Sequence, residues 1–561
     1  MPTKFIPFTA EPSINQGQNL SGAGLTANLM PDIVNGYFED YKTAAEEIRQ
    51  LKFTMRPQTI DSSLTLNTSN ADNVINGMIS SLDRTRLFYV LTGTGGPLFR
   101  TLTSAATTSP ATGPGAGWSN TTGYKWDYLD GISYGANNYF VVTDFTKGAL
   151  ISSPAGVWTW TDIAAAVYTG LTTKTNILPM DGYLFCGDGA TNRIYNCDLN
   201  TPATWTATSF VTSADSPGQL LWLGRIRNYL IAFKQYSIEF WEDVGNPTPG
   251  SPLESQKQLN RKIGLYSTSS VQEVSDGLIF AGLNQGGKIS MYKIDRETLS
   301  IKVIANKMME WSLANENLIP VYFSTYLTYP KQSAYLGASQ VINFKDKEFY
   351  CITLAGPSAN SCTFVYDNEL EIWTRWYTNT NQHATTNDGY YLPSQCVSLK
   401  LSSTYIGPIF AKNYGGAGTT FATKLQRYLV FNELSFGERI GFGFTSDFID
   451  LGSNKRKFQD SVELLYEFNT GFDPSLGSTI AQVDYFYKDK SFSTYPSITT
   501  KSTSLKTSGQ DRAIFRRGGS FRSRAHSFMF NSDVPSNTGP PPNITIFGFF
   551  IVYNEGETDQ S

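Results

Sequence analysis

A chain of 561 residues with net charge −4 and only 16 % charged residues is not a general polyanion binder, and its two histidines, His383 and His526, cannot build a His-rich metal site. Aromatics at 14 %, with 48 glycines and 26 prolines, favour short strands and many turns over long helices. The five cysteines, Cys186, Cys197, Cys351, Cys362 and Cys396, are odd in number and lack CxxC spacing, which argues against zinc and against a disulfide framework.

The N-terminus, MPTKFIPFTAEPSINQGQ, has no continuous apolar core of the kind a signal peptide carries. It reads as the start of a soluble protein made in a cytosol. The first 40 residues are punctuated by Pro and Gly without periodicity and read as an extended arm. Glu39 to Leu51, EDYKTAAEEIRQL, follows as a helix candidate: good helix formers, acids toward its start and Arg49 near its end, as the helix dipole prefers. Residues 1–52 are therefore expected to form an arm with one short helix.

From about residue 85 one pattern recurs: an apolar strand, a Gly/Asn-rich turn, a second apolar strand and often a Trp. Its copies are Leu87 to Phe99, Tyr139 to Trp160, Tyr183 to Trp205, Tyr229 to Trp241, Leu278 to Tyr292, Phe349 to Trp373 and, more weakly, Tyr405 to Phe421. Their starts lie roughly 44 to 71 residues apart, near the blade period of propellers. One such unit cannot bury both faces alone, and radial stacking buries them. Residues 53–436 are expected to form a β-propeller of six or seven blades. Cys186/Cys197 and Cys351/Cys362 share a spacing of eleven, which suits buried thiols on neighbouring strands; a disulfide would need an oxidising compartment, to which nothing else points.

Near Gly441 the texture changes. Period-2 segments appear at Phe442 to Leu451, Phe458 to Phe468, Val483 to Tyr487, Ala513 to Phe515, Ser527 to Phe530 and Ile544 to Tyr553, separated by polar loops. This spacing suggests a C-terminal β-sandwich-like domain over residues 437–561, in an all-β chain. Ile544 to Tyr553 is the longest apolar run and is too short for a spanning helix, so no membrane span is expected.

Motifs that carry chemistry are weak. Ser119 to Trp126 (SNTTGYKW) and Ser152 to Thr159 (SSPAGVWT) have Asp-box spacing, but Thr121 and Pro154 stand where the Asp belongs, and both read as blade turns. Asp144, Asp181, Asp188 and Glu239 lie near blade strands, yet nothing singles out a carboxylate pair for glycoside hydrolysis. No Walker A, GxSxG or HExxH motif occurs, and TGTGG at Thr92 to Gly96 is followed by no helix. Neither a catalytic centre nor a cofactor is implied. The clearest charge feature is Lys501, Lys506, Arg512, Arg516, Arg517, Arg522 and Arg524 against the single acid Asp511, with a second cluster at Lys455, Arg456 and Lys457. Solvated loop charge, a subunit-interface patch and contact with DNA backbone all fit it.

Three segments then carry a resemblance: Tyr229 to Glu254, with its Ser237, Glu239, Phe240, Trp241 step; Arg261 to Tyr292; and Phe442 to Leu451 with the Arg-rich Arg512 to Phe530. In order and spacing the chain resembles the packaged-DNA stabilisation, or tail accessory (nozzle), proteins of short-tailed phages. The resemblance implies a structural virion protein of the tail, assembled in the host cytoplasm. It implies a homohexameric ring below the portal and adaptor proteins that retains DNA and passes it on ejection, with transient contact to double-stranded DNA. Tail fibre, spike or needle proteins are implied neighbours. The alternative is a carbohydrate-binding or depolymerising propeller acting as an adhesin, since the many Tyr and Trp could stack on sugars. The departures are a longer N-terminal arm, the Thr107 to Gly117 insert and the Pro535 to Asn543 loop.

Overall fold

A computed structural model of the chain describes residues 3–9, 32–41, 50–56, 59–61, 74–92, 96–103, 107–108, 113–114, 116–119, 123–129, 138–153, 158–245, 250–306, 309–310, 313, 339–354, 362–376, 395–400, 406–414, 422–428, 442–446, 449, 451, 455–469, 482–489, 501–504, 509–531 and 543–555. They are mostly β. Among them no helix is long and apolar enough to cross a membrane. The chain begins with five short strands, β1 (Thr3–Thr9), β2 (Asp32–Val34), β3 (Gly36–Tyr41), β4 (Gln50–Met55) and β5 (Thr59–Asp61).

Antiparallel meanders of the kind that form propeller blades follow. Sheet one holds β6 to β9 (Val74–Ser80, Arg86–Thr92, Leu98–Thr103, Thr107–Thr108). Sheet two holds β10 to β13 (Lys125–Tyr128, Asn138–Thr143, Gly148–Ser152, Thr159–Asp162). Sheet three holds β14 to β17 (Lys174–Met180, Tyr183–Asp188, Arg193–Asp198, Thr201–Thr212). Sheet four holds β18 to β21 (Leu220–Ile226, Tyr229–Lys234, Ile238–Asp243, Leu253–Ser255). In sheet five the first position is split between β22 (Ile263–Leu265) and β23 (Gln272–Val274), both paired to β24 (Gly277–Asn284); β25 (Ile289–Asp295) and β26 (Ile301–Val303) complete it. Sheet six holds β27 to β30 (Ser339–Phe344, Lys347–Leu354, Cys362–Asp367, Ile372–Trp376). Sheet seven holds β31 to β33 (Gln395–Lys400, Ile406–Tyr414, Ala422–Tyr428), and its fourth strand is β5 from the N-terminal region.

Six of the repeat copies read from the sequence fall on the second and third strands of a sheet, and the weaker seventh covers the second strand, β32. The turns explain why. Between β14 and β15, Asp181 and Gly182 both take positive φ (49° and 86°), the two-residue turn whose twist matches a hairpin. The first strand of each sheet contacts the first position of the next, except that sheet four meets sheet five through β18 with β24 and β19 with β22; β31 contacts β6, so the series of contacts closes on itself. Apolar clusters fill the spaces between neighbours. Phe88, Phe99, Trp126 and Trp160 pack between sheets one and two; Phe233, Phe240 and Phe280 between four and five; Leu91, Leu399 and Ile409 between seven and one. Burying such side chains stabilises by about 1.5–3 kcal/mol each, which a lone four-stranded sheet could not gain on both faces. Charges on non-adjacent sheets also act on one another: the half-buried Asp127 of β10 feels Arg225 of β18 and Glu273 of β23.

The remaining strands are β34 (Phe442–Thr445), β35 (Lys457–Asn469), β36 (Gln482–Asp489), β37 (Lys501–Ser504), β38 (Gly509–Phe521), β39 (Arg524–Asn531) and β40 (Asn543–Glu555). They form two sheets, ordered β3-β4-β1-β40-β35-β38 and β2-β34-β39-β36-β37, and the second continues through β2 into sheet six. One cluster holds residues of both, including Val462, Leu464, Phe515, Phe549 and Ile551 from the first and Phe442, Phe444, Tyr485, Phe528 and Phe530 from the second.

Two expectations are corrected here. The described parts of the N-terminal region are not an extended arm: β1, β3 and β4 are strands of the sheet that contains β40. The helix over Glu39 to Leu51 is also replaced at both ends. Glu39, Asp40 and Tyr41 pair with Lys52, Leu51 and Gln50 in the β3–β4 ladder, and residues 42–49 lie outside the described residues. Burial outweighs helix propensity: Phe38, Leu51 and Phe53 are core residues, and the Phe53 ring stacks on Phe442 at 4.5 Å. Gly36 is required beside them, because a Cβ there would sit 2.3 Å from the Phe53 ring.

Candidate contact surface and the core that presents it

The carboxylates that drew notice in the sequence are engaged within their own sheets. Asp144, at the end of the second strand of sheet two, accepts hydrogen bonds from Ser119 N (2.7 Å), Thr146 N (2.9 Å) and Lys147 N (2.6 Å). Asp188 occupies the same place in sheet three and accepts from Thr173 N (3.0 Å) and Thr191 Oγ1 (2.8 Å). Each ties a hairpin to the segment leading into its sheet. Burial would raise the Asp188 carboxyl, but the Thr173, Thr191 and Ala190 donors outweigh it and hold the group below its usual range. In sheet four that position is Lys234. Its ammonium, fully buried, donates to Ser213 O (2.8 Å) and to Glu239 Oε1 (3.2 Å), while Glu239 accepts from Ser213 Oγ (2.7 Å) and Ser216 N (3.2 Å). The same tie is thus made with a pair of opposite charges. Asp181 lies exposed in its hairpin turn.

The Asp-box-like stretches also serve packing. Trp126 and Trp158 pack in the cluster between sheets one and two, and the Tyr124 hydroxyl donates to Ser119 O at 2.7 Å. Cys186 and Cys197 are buried free thiols on neighbouring strands, each pushed up to about 12 by burial. His383 lies outside the described residues, and His526 is buried.

The basic cluster divides into two kinds of residue. Arg512, Arg516, Arg517, Arg522, Lys455 and Arg456 are exposed. Arg524 and Lys457 are corrections to the surface patch, since both are buried. Lys457 Nζ donates to Lys455 O (3.0 Å) and Arg522 O (3.2 Å). Arg524 forms a two-bond fork with Asp489 (Nη2 to Oδ2 3.0 Å) and donates to Gln459 Oε1 (2.9 Å), Gly518 O and Ser520 O. Its guanidinium lies between the rings of Tyr487 (4.0 Å) and Phe521 (4.6 Å). A buried charge is tolerable only when paired and bonded in this manner. Next to it, Gln459 Nε2 donates to the Tyr485 hydroxyl (3.3 Å), which shares a 2.8 Å hydrogen bond with His526 Nδ1. Burial, aided by the Arg524 charge, lowers the His526 imidazole to about 3.

This core shapes the surface. Between the pairs Gln459↔Gly519 and Ser461↔Arg516 the ladder slips, so that Arg517 and Gly518 face Asp460 alone. Such a bulge re-aims side chains. Successive strand residues normally point to opposite faces, yet Arg516 and Arg517 are both exposed, and Arg517 takes a φ of 61°. Gly518 is needed because a Cβ there would lie 2.2 Å from the Gln459 side chain. The Arg524 bonds to Gly518 O and Gln459 hold the bulge in place.

On the outer face the ladders align Arg512–Leu465–Gly548, Ile514–Glu463–Phe550 and Arg516–Ser461–Val552 in three rows. Arg512 Nη1 donates to Glu463 (3.0 Å) and its guanidinium lies over the Phe550 ring (4.7 Å). Ile514 is 43 % exposed and Phe458, beyond the bulge, 50 %. The apolar members of this face escaped sequence reading, although the alternation Arg524, His526, Phe528, Phe530 on β39 would have marked Arg524 as inward-facing.

A meander series closed by an N-terminal strand is the architecture of a propeller-type protein, and comparison with known families agrees. Residues 132–321 match a family model described as "Bacteriophage P22 Gp10, beta-propeller". No curated protein matches the chain. Solved structures that resemble it include a putative 6-phosphogluconolactonase from Bacteroides uniformis (8 % identity, covering 63 % of this chain and 96 % of that one, TM-score 0.35). PorZ of the Porphyromonas gingivalis type-IX secretion system is similar at 10 % identity (70 % and 43 % covered, TM-score 0.33), as is the N-terminal domain of Nup159 (10 % identity, 66 % and 93 % covered, TM-score 0.31).

Proposed function

We propose that this chain is a structural tail protein of a short-tailed phage, with a seven-bladed propeller spanning residues 59–436 and a β-sandwich domain built from the C-terminal strands and β1, β3 and β4. The observation that carries this reading is the match of residues 132–321 to the phage stabilisation family. It is supported by the use of Asp144, Asp188 and Glu239 in structural ties, which leaves those carboxylates no part in catalysis. In this reading copies of the chain form a homohexameric nozzle ring below the portal and adaptor. The ring retains packaged DNA and gives it a path on ejection, contacts fibre or spike proteins, and belongs to the virion. The exposed Arg512, Arg516, Arg517, Arg522, Lys455 and Arg456 then serve as a contact surface rather than as a substrate site.

Mass photometry and negative-stain microscopy of the purified chain, alone and with portal and adaptor proteins, test this reading. Rings of about six copies are expected. A chain that stays monomeric with every neck component, or one that releases reducing ends from host polysaccharide, overturns it.

A further inference from the structure

We infer that the Arg-rich outer face of β35, β38 and β40 docks against a second copy of this chain, on the acidic turns of sheets three and four, in a head-to-tail contact. This rests on the ring reading above and assigns the surfaces that would build the ring.

The first surface has the composition of a protein interface. Ile514 and Phe458 are exposed, Leu465, Phe550 and Val552 are half-buried beside them, and the cations among them are arginines. Interface cores are enriched in aromatics and Arg and depleted in Lys. A surface that only tracks DNA phosphates gains nothing from an apolar centre. The bulge adds Arg517 beside Arg516, so that two guanidinium groups reach outward where an unbroken strand would present one.

The second surface is its complement. Asp181, Asp198 and Asp243 stand at three neighbouring turns. Asn200 N donates to Gly182 O at 2.9 Å, and a Cβ on Gly182 would touch Leu199, so the first two turns pack together. Asp243 interacts with Asp181, and both Asp243 and Asp198 act on the Tyr183 phenol that lies among them. Burial raises the Asp243 carboxyl and the neighbouring Asp181 adds to this, against a hydrogen bond from Gly245 N at 2.9 Å. Leu199 is 52 % exposed beside the first two turns and Val244 43 % beside Asp243; the neighbouring Arg227, whose turn bonds Asp243 N through Asn228 O, is paired with Glu297. The two surfaces therefore match in both apolar content and sign of charge. They lie on different parts of the chain, so their contact is heterologous, the kind that closes into rings when the rotation permits. A chain that is acidic overall but carries seven cations against one acid between Lys501 and His526 has its opposite charge elsewhere on the same molecule.

The test is a charge swap on the full chain. R516E/R517E and, separately, D198R/D243R are each expected to weaken ring formation at least tenfold, read by mass photometry across concentration, with unchanged melting temperature and near-UV circular dichroism. The chain with all four substitutions is expected to regain rings, because the sign is reversed on both sides. Wild-type rings with unaffected double variants, or no rescue in the quadruple variant, overturn this inference and leave the ring reading standing. Intact rings with lost duplex-DNA binding in R516E/R517E also overturn it and mark the face as a DNA surface. A wild-type chain that never forms rings overturns both.

Discussion

Sheet four and the C-terminal sheets solve one problem, a buried cation, in different ways. Lys234 lies a few residues from its partner Glu239 in one hairpin, and the pair replaces the single carboxylate of sheets two and three. Arg524 draws its partners from β35, β36 and β38, so its environment exists only when distant strands have met. The lesson is that the repeating sheets are stabilised hairpin by hairpin, whereas the C-terminal sheets depend on groups far apart in the chain.

The largest expected effects come from breaking one partner of each pair. Lys234→Met and Asp489→Ala are each expected to cost about 3–5 kcal/mol in chemical denaturation, because each leaves an uncompensated buried charge. Replacing both partners is expected to recover only part of the loss in either pair. K234M/E239L would leave Ser213 O and Ser216 N short of a partner, and R524M/D489L would do the same to Gly518 O, Ser520 O and Gln459. Full recovery of stability in R524M/D489L would break the comparison.

Acid is the next probe. The unfolded chain takes a proton on His526 near pH 6.5 and the folded chain only near pH 3, so this contribution to stability is whole above about pH 6.5 and is lost as pH falls toward 3. A slope on the order of 1 kcal/mol per pH unit is expected in that window, and His526→Phe should flatten it in pH-dependent urea melts. Asp188→Ala should cost about 1–3 kcal/mol by leaving the Thr173 and Ala190 donors in sheet three short of a partner, read by thermal melting. The smallest effect is expected at Arg512→Ala. Its ion pair with Glu463 is exposed, and less than about 1 kcal/mol should be lost.

The same contrast explains what could be read from the sequence. Hairpins are local: Asp181-Gly182 with apolar runs on either side announces its turn, and six of the repeat copies land on the second and third strands of their sheets. The partner of an N-terminal strand is not local. Nothing near Glu39 or Leu51 tells that β40 waits hundreds of residues away, so helix propensity was the stronger visible signal there. Arg522 and Arg524 look alike in the sequence and differ in fate because one precedes β39 and the other begins its inward face. The bulge at Arg517 was equally hidden, since it is set by Gln459 and Arg524 across the sheet.

The closure of sheet seven by β5 has a consequence for biosynthesis. Thr59 finds its neighbour only once Tyr428 has been made, and Thr3 only once Val552 has. At about 5–20 residues per second, the first strands leave the ribosome roughly 20 seconds to two minutes before their partners exist. Through that interval their edges are open to other nascent chains, and crowding of polysomes is the moment at which this molecule is most exposed to aggregation.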